Sequence, residues 1–173
     1  GALIGFGLAA RWLKSNMDPY RMAARGILIG LIAFSSLVFA APMNSSSVFF
    51  LGAFGIGLGG GLFAVATLTA AMTLNTTGAA GKGLALGAWG AAQATAAGAS
   101  IFVGGAVRDL VNTAATSGGL GAALQSNATG YSVVYHIEIG LLFITLIVLG
   151  NLVKARPMST STATPTGLAD FPT

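Results

Sequence analysis

The sequence is poor in charged residues. Only 7% of its 173 residues are Asp, Glu, Lys or Arg, whereas about 25% is usual in a soluble domain. A soluble protein of this length covers its surface with polar side chains, and this composition does not supply enough of them. Hydrophobic residues make up 54% of the chain and its mean hydropathy is +0.82, so lipid can cover the surface instead. The composition predicts an integral membrane protein.

The chain also contains no cysteine and a single histidine, His136. The absence of cysteine excludes disulfide bonds, thiolate metal sites and thiol catalysis. Only four carboxylates are present, and one of them, Asp170, lies near the C-terminus. The sequence therefore lacks the groups for a catalytic triad, a carboxylate pair or a metal cluster. We expect a protein that is not an enzyme and has no nucleic-acid partner, because membrane topology accounts for its basic residues.

Long apolar runs divide the chain into membrane-spanning segments. At about 1.5 Å per residue, four runs are long enough to cross the hydrocarbon core as helices. They are residues 24–42, 48–74, 84–107 and 132–153. Residues 1–10 are apolar but too short to cross, and they predict a further, partial helix. Continuous apolarity favours helices over the alternating strands of a barrel, so we expect an all-α helix bundle over residues 1–153.

The basic residues predict how the helices are oriented. Seven of the eight fall on one side of the membrane if the segments cross as predicted, and only Arg108 lies opposite. The seven are Arg11, Lys14, Arg21, Arg25, Lys82, Lys154 and Arg156. The positive-inside rule makes their side cytoplasmic. Residues 154–173, rich in Ser, Thr and Pro, are then predicted to form a disordered cytoplasmic tail.

Small residues recur at helical spacing in two of the segments. Gly55 and Gly59 are four residues apart in the segment 48–74, and Gly83, Gly87 and Gly98 lie on or near one face of the next. This spacing lets helix backbones approach closely in lipid. It predicts that both segments are packing helices, or that they lie beside a large ligand.

Five polar residues lie at or near membrane depth: Gln93, Arg108, Asp109, His136 and Glu138. Ionisable groups are costly there and usually have a functional reason. On a helix, His136 and Glu138 point about 200° apart, so they contact different neighbours. An ion pair with Arg108 at the outer interface is one interpretation of Glu138.

Two interpretations of His136 remain open. In the first, it is an interfacial residue that hydrogen-bonds a helix end or the loop 108–131. In the second, its neutral imidazole supplies the fifth ligand to the magnesium of a chlorophyll-type pigment. Trp89 and Phe102, together with the glycine-rich helix surfaces, would then flank the macrocycle.

Three stretches carry a resemblance to a known family: GIGLGGGLFAVATLTAAMTL, GKGLALGAWGAAQATAAG followed by GGAVRDLV, and GYSVVYHIEIGLLFITLIVLG. They resemble the closing helices of the PucC/LhaA family, the bacteriochlorophyll-delivery branch of the major facilitator superfamily. The resemblance covers about residues 1–153 and implies the C-terminal part of a major-facilitator-type bundle, from the end of its eighth helix through helices nine to twelve. In the loop before the ninth helix, ARWLKSNMDPYRMAARG, the usual Gly, Asp and Arg signature of that superfamily is degraded.

The resemblance implies an assembly factor for light-harvesting antenna complexes in the photosynthetic intracytoplasmic membrane of a bacterium. Such a factor would bind or deliver bacteriochlorophyll, antenna polypeptides or both, with a carotenoid or lipid as a further candidate ligand. Its partners would include membrane lipids, reaction-centre subunits and the N-terminal half of a full-length member. The candidate pigment-binding residues are His136, Gln93 and Trp89, and the candidate polar gating residues are Arg108, Asp109 and Glu138.

Two other functions are compatible with the same sequence. The chain resembles half of a secondary transporter of the major facilitator superfamily, which would place a substrate site at the membrane midplane. Apart from Gln93, however, its polar groups lie toward the edges. Alternatively, the chain is a structural subunit that stays bound in a finished photosynthetic complex. Its stoichiometry in purified complexes would distinguish a structural subunit from an assembly factor.

Overall fold

The computed structural model describes residues 1–73 and 78–155, with side chains described except at 78–80 and 153–155. All regular elements in these ranges are helices. Four of the helices, α2 to α5, are long and apolar enough to cross a membrane. The all-α membrane fold predicted from the sequence is therefore confirmed. The helices are α1 (Ala2–Lys14), α2 (Pro19–Ala40), α3 (Ser46–Met72), α4 (Gly78–Thr116) and α5 (Ala128–Ala155), with a short 3-10 helix at Ala122–Leu124 before α5.

Local capping sets where α2 and α3 begin. The Asp18 carboxylate accepts hydrogen bonds from the backbone N–H groups of Tyr20 and Arg21, and a proline occupies the first turn of α2. Ser45 caps α3 by accepting a hydrogen bond from the Val48 N–H. The turn between α2 and α3 is tight, and Asn44 within it adopts a positive φ of 45°. Because α1 extends to Lys14 and α2 begins at Pro19, much of the stretch before the segment 24–42 that was predicted to be a loop is helical.

The helix α4 is longer than the segment 84–107 from which it was predicted. It has 39 residues, or about 58 Å at the helical rise, and so exceeds a hydrocarbon core of about 30 Å. Arg108 and Asp109, which directly follow the predicted segment, do not end the helix, because they pair with each other. Further along, the hydroxyls of Thr113 and Thr116 donate to backbone carbonyls one turn back, which lets polar residues continue the helix.

Glycines bring α1, α2 and α3 into backbone contact. A Cβ added to Gly59 would lie 2.5 Å from the carbonyl oxygen of Gly26 on α2, and one added to Gly55 would lie 2.8 Å from the Ala33 Cβ. On the α1 side, a Cβ on Gly61 would lie 2.7 Å from the carbonyl oxygen of Ala2. The predicted packing residues Gly55 and Gly59 thus lie in a helix interface, where only small residues fit.

The buried core lies among α1, α2 and α3, with one contribution from α5. Met22 and Leu62 are its largest fully buried side chains, and Leu149 reaches it from α5. None of the described polar or charged side chains is fully buried. The core therefore lies toward the end of the bundle where α1 and α2 carry their basic residues.

The helix α4 stands apart from this core. It contacts α5 through its C-terminal half and α3 only weakly. Cβ atoms added to Gly83, Gly87 or Gly98 would meet nothing within 4 Å. The close packing predicted for these three glycines is therefore not found among the residues that the structure describes. The face of α4 on which they lie is turned away from α3 and α5.

Candidate functional site

Two cavities lie at the end of the bundle where α2 ends and α3 and α5 begin. They occupy opposite sides of the contact between α2 and α5, and Val38, Ala41, Ala128 and Ser132 line both. The basic residues of α1 and the start of α2 lie at the other end of the helices. The predicted topology would place both cavities on the side opposite the cytoplasm.

The larger cavity, which we call the His136 groove, has a volume of about 810 Å³. It is bounded by the end of α2, the loop that precedes α5 and the first turns of α5. Its walls are mainly apolar, with Pro42, Leu120, Leu124, Val133 and Ile137 among the lining residues, and Ser126, Thr129 and Ser132 add hydroxyl groups. His136 is the only ionisable residue among those that line it.

A hydrogen bond within α5 orients the His136 ring. Its Nδ1 atom lies 2.7 Å from the carbonyl oxygen of Ser132. A carbonyl oxygen can only accept, so Nδ1 carries the proton, and in the neutral ring Nε2 keeps its lone pair. Nε2 has no partner among the described residues, and the side chain is exposed. The groove thus presents one imidazole nitrogen that can bind a metal or accept a hydrogen bond.

The smaller cavity, which we call the tyrosine cavity, has a volume of about 540 Å³. Phe49 and Phe50 of α3 line one side of it, and Tyr131 and Tyr135 of α5 line another. The Tyr135 ring centroid lies 6.0 Å from that of Phe34 and 6.3 Å from that of Tyr131. These aromatic contacts hold the first turns of α5 against α2.

Arg108 joins α4 to the tyrosine cavity. Its Nε donates to the Asp109 carboxylate at 2.9 Å, and its Nη1 donates to the Tyr131 hydroxyl at 2.9 Å. The ion pair between Arg108 and Glu138 that the sequence suggested is wrong, since Arg108 pairs with Asp109 instead. Glu138 lies seven residues beyond Tyr131 along α5, which is about 10 Å farther from this end of the bundle. Half-buried, Glu138 has no hydrogen-bond or ion-pair partner in the described part of the chain.

A close crossing of α4 and α5 sets the position of these groups, and the sequence interpretation missed it. The Asn112 side-chain oxygen accepts a hydrogen bond from the Gly130 N–H at 2.9 Å. A Cβ on Gly130 would lie 2.5 Å from that oxygen and 2.6 Å from the carbonyl oxygen of Arg108. Two features of the sequence could have indicated this crossing. Asn112 lies four residues after Arg108, on the same helix face, and Gly130 lies one residue before Tyr131.

The structure does not bring Trp89 and Gln93 to His136. The Trp89 Nε1 donates to the Thr67 hydroxyl of α3 at 3.2 Å, so this ring packs between α3 and α4. Gln93 lies 15 residues before Arg108 on α4, about 22 Å away along the helix axis. Neither residue lines the His136 groove, and nor does Phe102, which is exposed. A single site formed by His136, Trp89 and Gln93 is therefore not present among the described residues.

Comparisons with known proteins agree with the resemblance of the three stretches. The family model described as PUCC protein matches residues 1–157. The chain is 54% identical, over its whole length, to 36% of an uncharacterized protein of Rhodobacter capsulatus encoded in the puhA-bchM intergenic region. It is 42% identical over 90% of its length to 32% of Protein PucC of Cereibacter sphaeroides, and 49% identical over 64% of its length to 24% of Protein PucC of Rhodovulum sulfidophilum.

These matches cover only part of each relative. The chain spans about a third of the length of the first two relatives. No solved structure matches it. The family match nevertheless extends over all of the helices described above. The chain therefore belongs to the PucC protein family.

Proposed function

We propose that this chain is part of an assembly factor for light-harvesting antenna complexes, and that it binds bacteriochlorophyll, antenna polypeptides or both. Membership of the PucC family supports this proposal. The observation that carries it is the His136 groove, an apolar cavity with one available imidazole nitrogen at the end of a membrane helix bundle. The mechanism is binding and release, without a chemical reaction.

The residues of the groove fit a pigment of this class. Its volume of about 810 Å³ lies within the range of about 300–1,000 Å³ that is usual for ligand pockets. When bound, bacteriochlorophyll would supply a magnesium ion, and the His136 imidazole would be the residue that holds it. On the protein side, His136 would orient the macrocycle, and Val133 and Ile137 would cover its apolar surface and exclude water.

The neighbouring groups would control how the groove opens. The loop before α5 forms one wall of the groove, and α5 itself is held to α4 by the bond between Asn112 and Gly130. On the other side of α5, Arg108 holds Tyr131. A displacement of α5 relative to α4 would change the width of the groove, so these contacts are suited to gating the release of a ligand.

Deleting the gene for this protein in a phototrophic host tests the proposal. We expect membranes of the deletion strain to lose most of their antenna absorption while the antenna polypeptides are still synthesised, because assembly and not synthesis is impaired. The measurement is the absorption spectrum of the membranes together with immunodetection of the antenna polypeptides. Complementation with the intact gene is the control.

The amount of the protein in mature complexes separates this function from a structural role. An assembly factor is expected in immature particles and in less than stoichiometric amounts in mature ones. Quantitative mass spectrometry of complexes separated by size makes this measurement. A fixed ratio of the protein to the reaction centre in mature complexes would contradict the proposal and favour a structural subunit.

A further inference from the structure

We propose that the tyrosine cavity binds the headgroup of a choline phospholipid, with the quaternary ammonium group held among the rings of Phe49, Phe50, Tyr131 and Tyr135. This site is separate from the His136 groove and lies on the other side of the contact between α2 and α5. It goes beyond the proposed function, because neither a pigment nor an antenna polypeptide takes part. The aromatic walls of the cavity, their lack of charge and their position at the end of the bundle support it.

Aromatic rings form two walls of the cavity. Phe49 and Phe50 are neighbours on α3, and their ring centroids lie 5.9 Å apart with an angle of 76° between the ring planes. Tyr131 and Tyr135 are one turn apart on α5, and their ring centroids lie 6.3 Å apart. A cation within about 6 Å of a ring centroid is attracted to the ring face, and a group of such rings is the usual site for a quaternary ammonium. The four rings therefore favour a ligand of this kind.

The lining of the cavity carries no charged side chain among the described residues. Arg108 lies 5.2 Å from the Tyr131 ring centroid and donates to its hydroxyl, but it does not line the cavity, and Asp109 neutralises it. A primary ammonium needs acceptors for its three N–H groups, and the walls offer it no carboxylate. A quaternary ammonium has no N–H group and needs only the ring faces. The lining therefore favours choline over ethanolamine.

The start of α3 provides donors for the phosphate of the same headgroup. Asn44, Ser45 and Ser46 line the cavity beside the two phenylalanines. The Ser45 hydroxyl accepts the Val48 N–H and so keeps its own proton for another acceptor. The first N–H groups of a helix have no partner within it and attract negative charge. Since phosphate and ammonium are adjacent in a choline headgroup, one headgroup can contact both the rings and these donors.

The cavity lies at the depth of lipid headgroups. The helix α3 has 27 residues, or about 40 Å, and so extends beyond a hydrocarbon core of about 30 Å. The cavity lies at its first turns, where aromatic residues are common in membrane proteins. Phe50 is 69% exposed, so this wall is accessible from the surrounding bilayer. A phospholipid can therefore reach the rings without leaving the membrane.

Native mass spectrometry of the purified full chain in a maltoside detergent tests this proposal. The probes are phosphatidylcholine, phosphatidylethanolamine and phosphatidylglycerol with the same acyl chains, so that only the headgroup differs. We expect phosphatidylcholine to bind at least about fivefold more tightly than either of the others, a difference of about 1 kcal/mol. Soluble phosphocholine, added as a competitor, should displace phosphatidylcholine only weakly, because it lacks the acyl chains.

Variants of the phenylalanines assign this preference to the rings. Leucine keeps an apolar side chain at each position but removes the ring face. We expect Phe50→Leu to reduce the preference for phosphatidylcholine and the double variant Phe49→Leu with Phe50→Leu to abolish it, with the affinity for phosphatidylethanolamine unchanged. Phe54→Leu is the matched control, because Phe54 is also exposed on α3 but does not line the cavity. It should retain the preference.

Equal affinities for the three lipids would overturn the proposal, and so would a preference that persists in the double variant or is lost equally in Phe54→Leu. Phosphocholine that binds as tightly as phosphatidylcholine would show that the ligand is a soluble choline compound and not a lipid. The proposed function is tested separately, through antenna absorption in the deletion strain.

Discussion

Replacing Gly59 with leucine is expected to prevent α2 and α3 from packing. A Cβ at this position would lie 2.5 Å from the Gly26 carbonyl oxygen and 3.1 Å from the Gly30 nitrogen. Both neighbours are backbone atoms, so neither can turn aside as a flexible side chain would. Overpacking usually costs about 1–3 kcal/mol, and we expect a cost at or above the upper end of this range. Unfolding of the purified protein in mixed detergent micelles measures the loss.

The adjacent glycine provides the control. A Cβ on Gly60 would meet nothing within 4 Å. Leucine is also a better helix former than glycine, so Gly60→Leu should leave the stability unchanged or slightly increase it. Equal losses of stability for Gly59→Leu and Gly60→Leu would show that the close approach of α2 and α3 does not determine the stability of the bundle.

A leucine at Gly130 is expected to separate α4 from α5 and to abolish function. The side chain would collide with the Asn112 side chain and with the Arg108 carbonyl oxygen, both of which lie within 2.6 Å of the added Cβ. Because Arg108 also binds Tyr131, this substitution should release the first turns of α5 and distort the His136 groove. We expect most of the antenna absorption to be lost in cells that produce only this variant.

Disulfide trapping measures the separation of the two helices directly. The chain has no cysteine of its own, so the pair Gly104→Cys and Val134→Cys can be introduced without a competing thiol. A Cβ on Gly104 would lie 3.8 Å from Val134 Cγ1, so side chains at these two positions face each other across the contact between α4 and α5. We expect this pair to crosslink in the unmodified background and with Gly140→Leu, a position on α5 with open space around it, but not with Gly130→Leu. Crosslinking that persists with Gly130→Leu would contradict the proposed crossing.

The sequence was sufficient to predict the helices, because bilayer thickness and the positions of charged residues limit where a membrane helix can lie. The prediction ended the segment 84–107 directly before Arg108, as if this arginine marked the end of the helix. An arginine beside an aspartate is neutralised locally, and α4 continues past the pair to Thr116. The orientation relative to the membrane remains a prediction from the basic residues.

The candidate site was harder to predict, because it combines distant parts of the chain. Helical periodicity places His136 and Glu138 on different faces of α5. It does not indicate that the turn after α2 and the loop before α5 meet beside His136. The spacing of the glycines is similar in α3 and α4, so it does not predict which of these glycines pack against another helix. Partner helices lie against Gly55 and Gly59 of α3, whereas added Cβ atoms on Gly83, Gly87 and Gly98 of α4 would meet nothing within 4 Å among the described residues.

Filling the His136 groove with a bulky side chain tests the central claim most directly. Val133→Trp would occupy the groove, whereas Ile144→Trp would place the same side chain on an exposed part of α5 that does not line it. The measurement is antenna absorption in membranes that contain equal amounts of each variant. We expect Val133→Trp to lose most of the antenna absorption and Ile144→Trp to retain it. Normal antenna absorption in the Val133→Trp membranes would show that the groove is not the site of function.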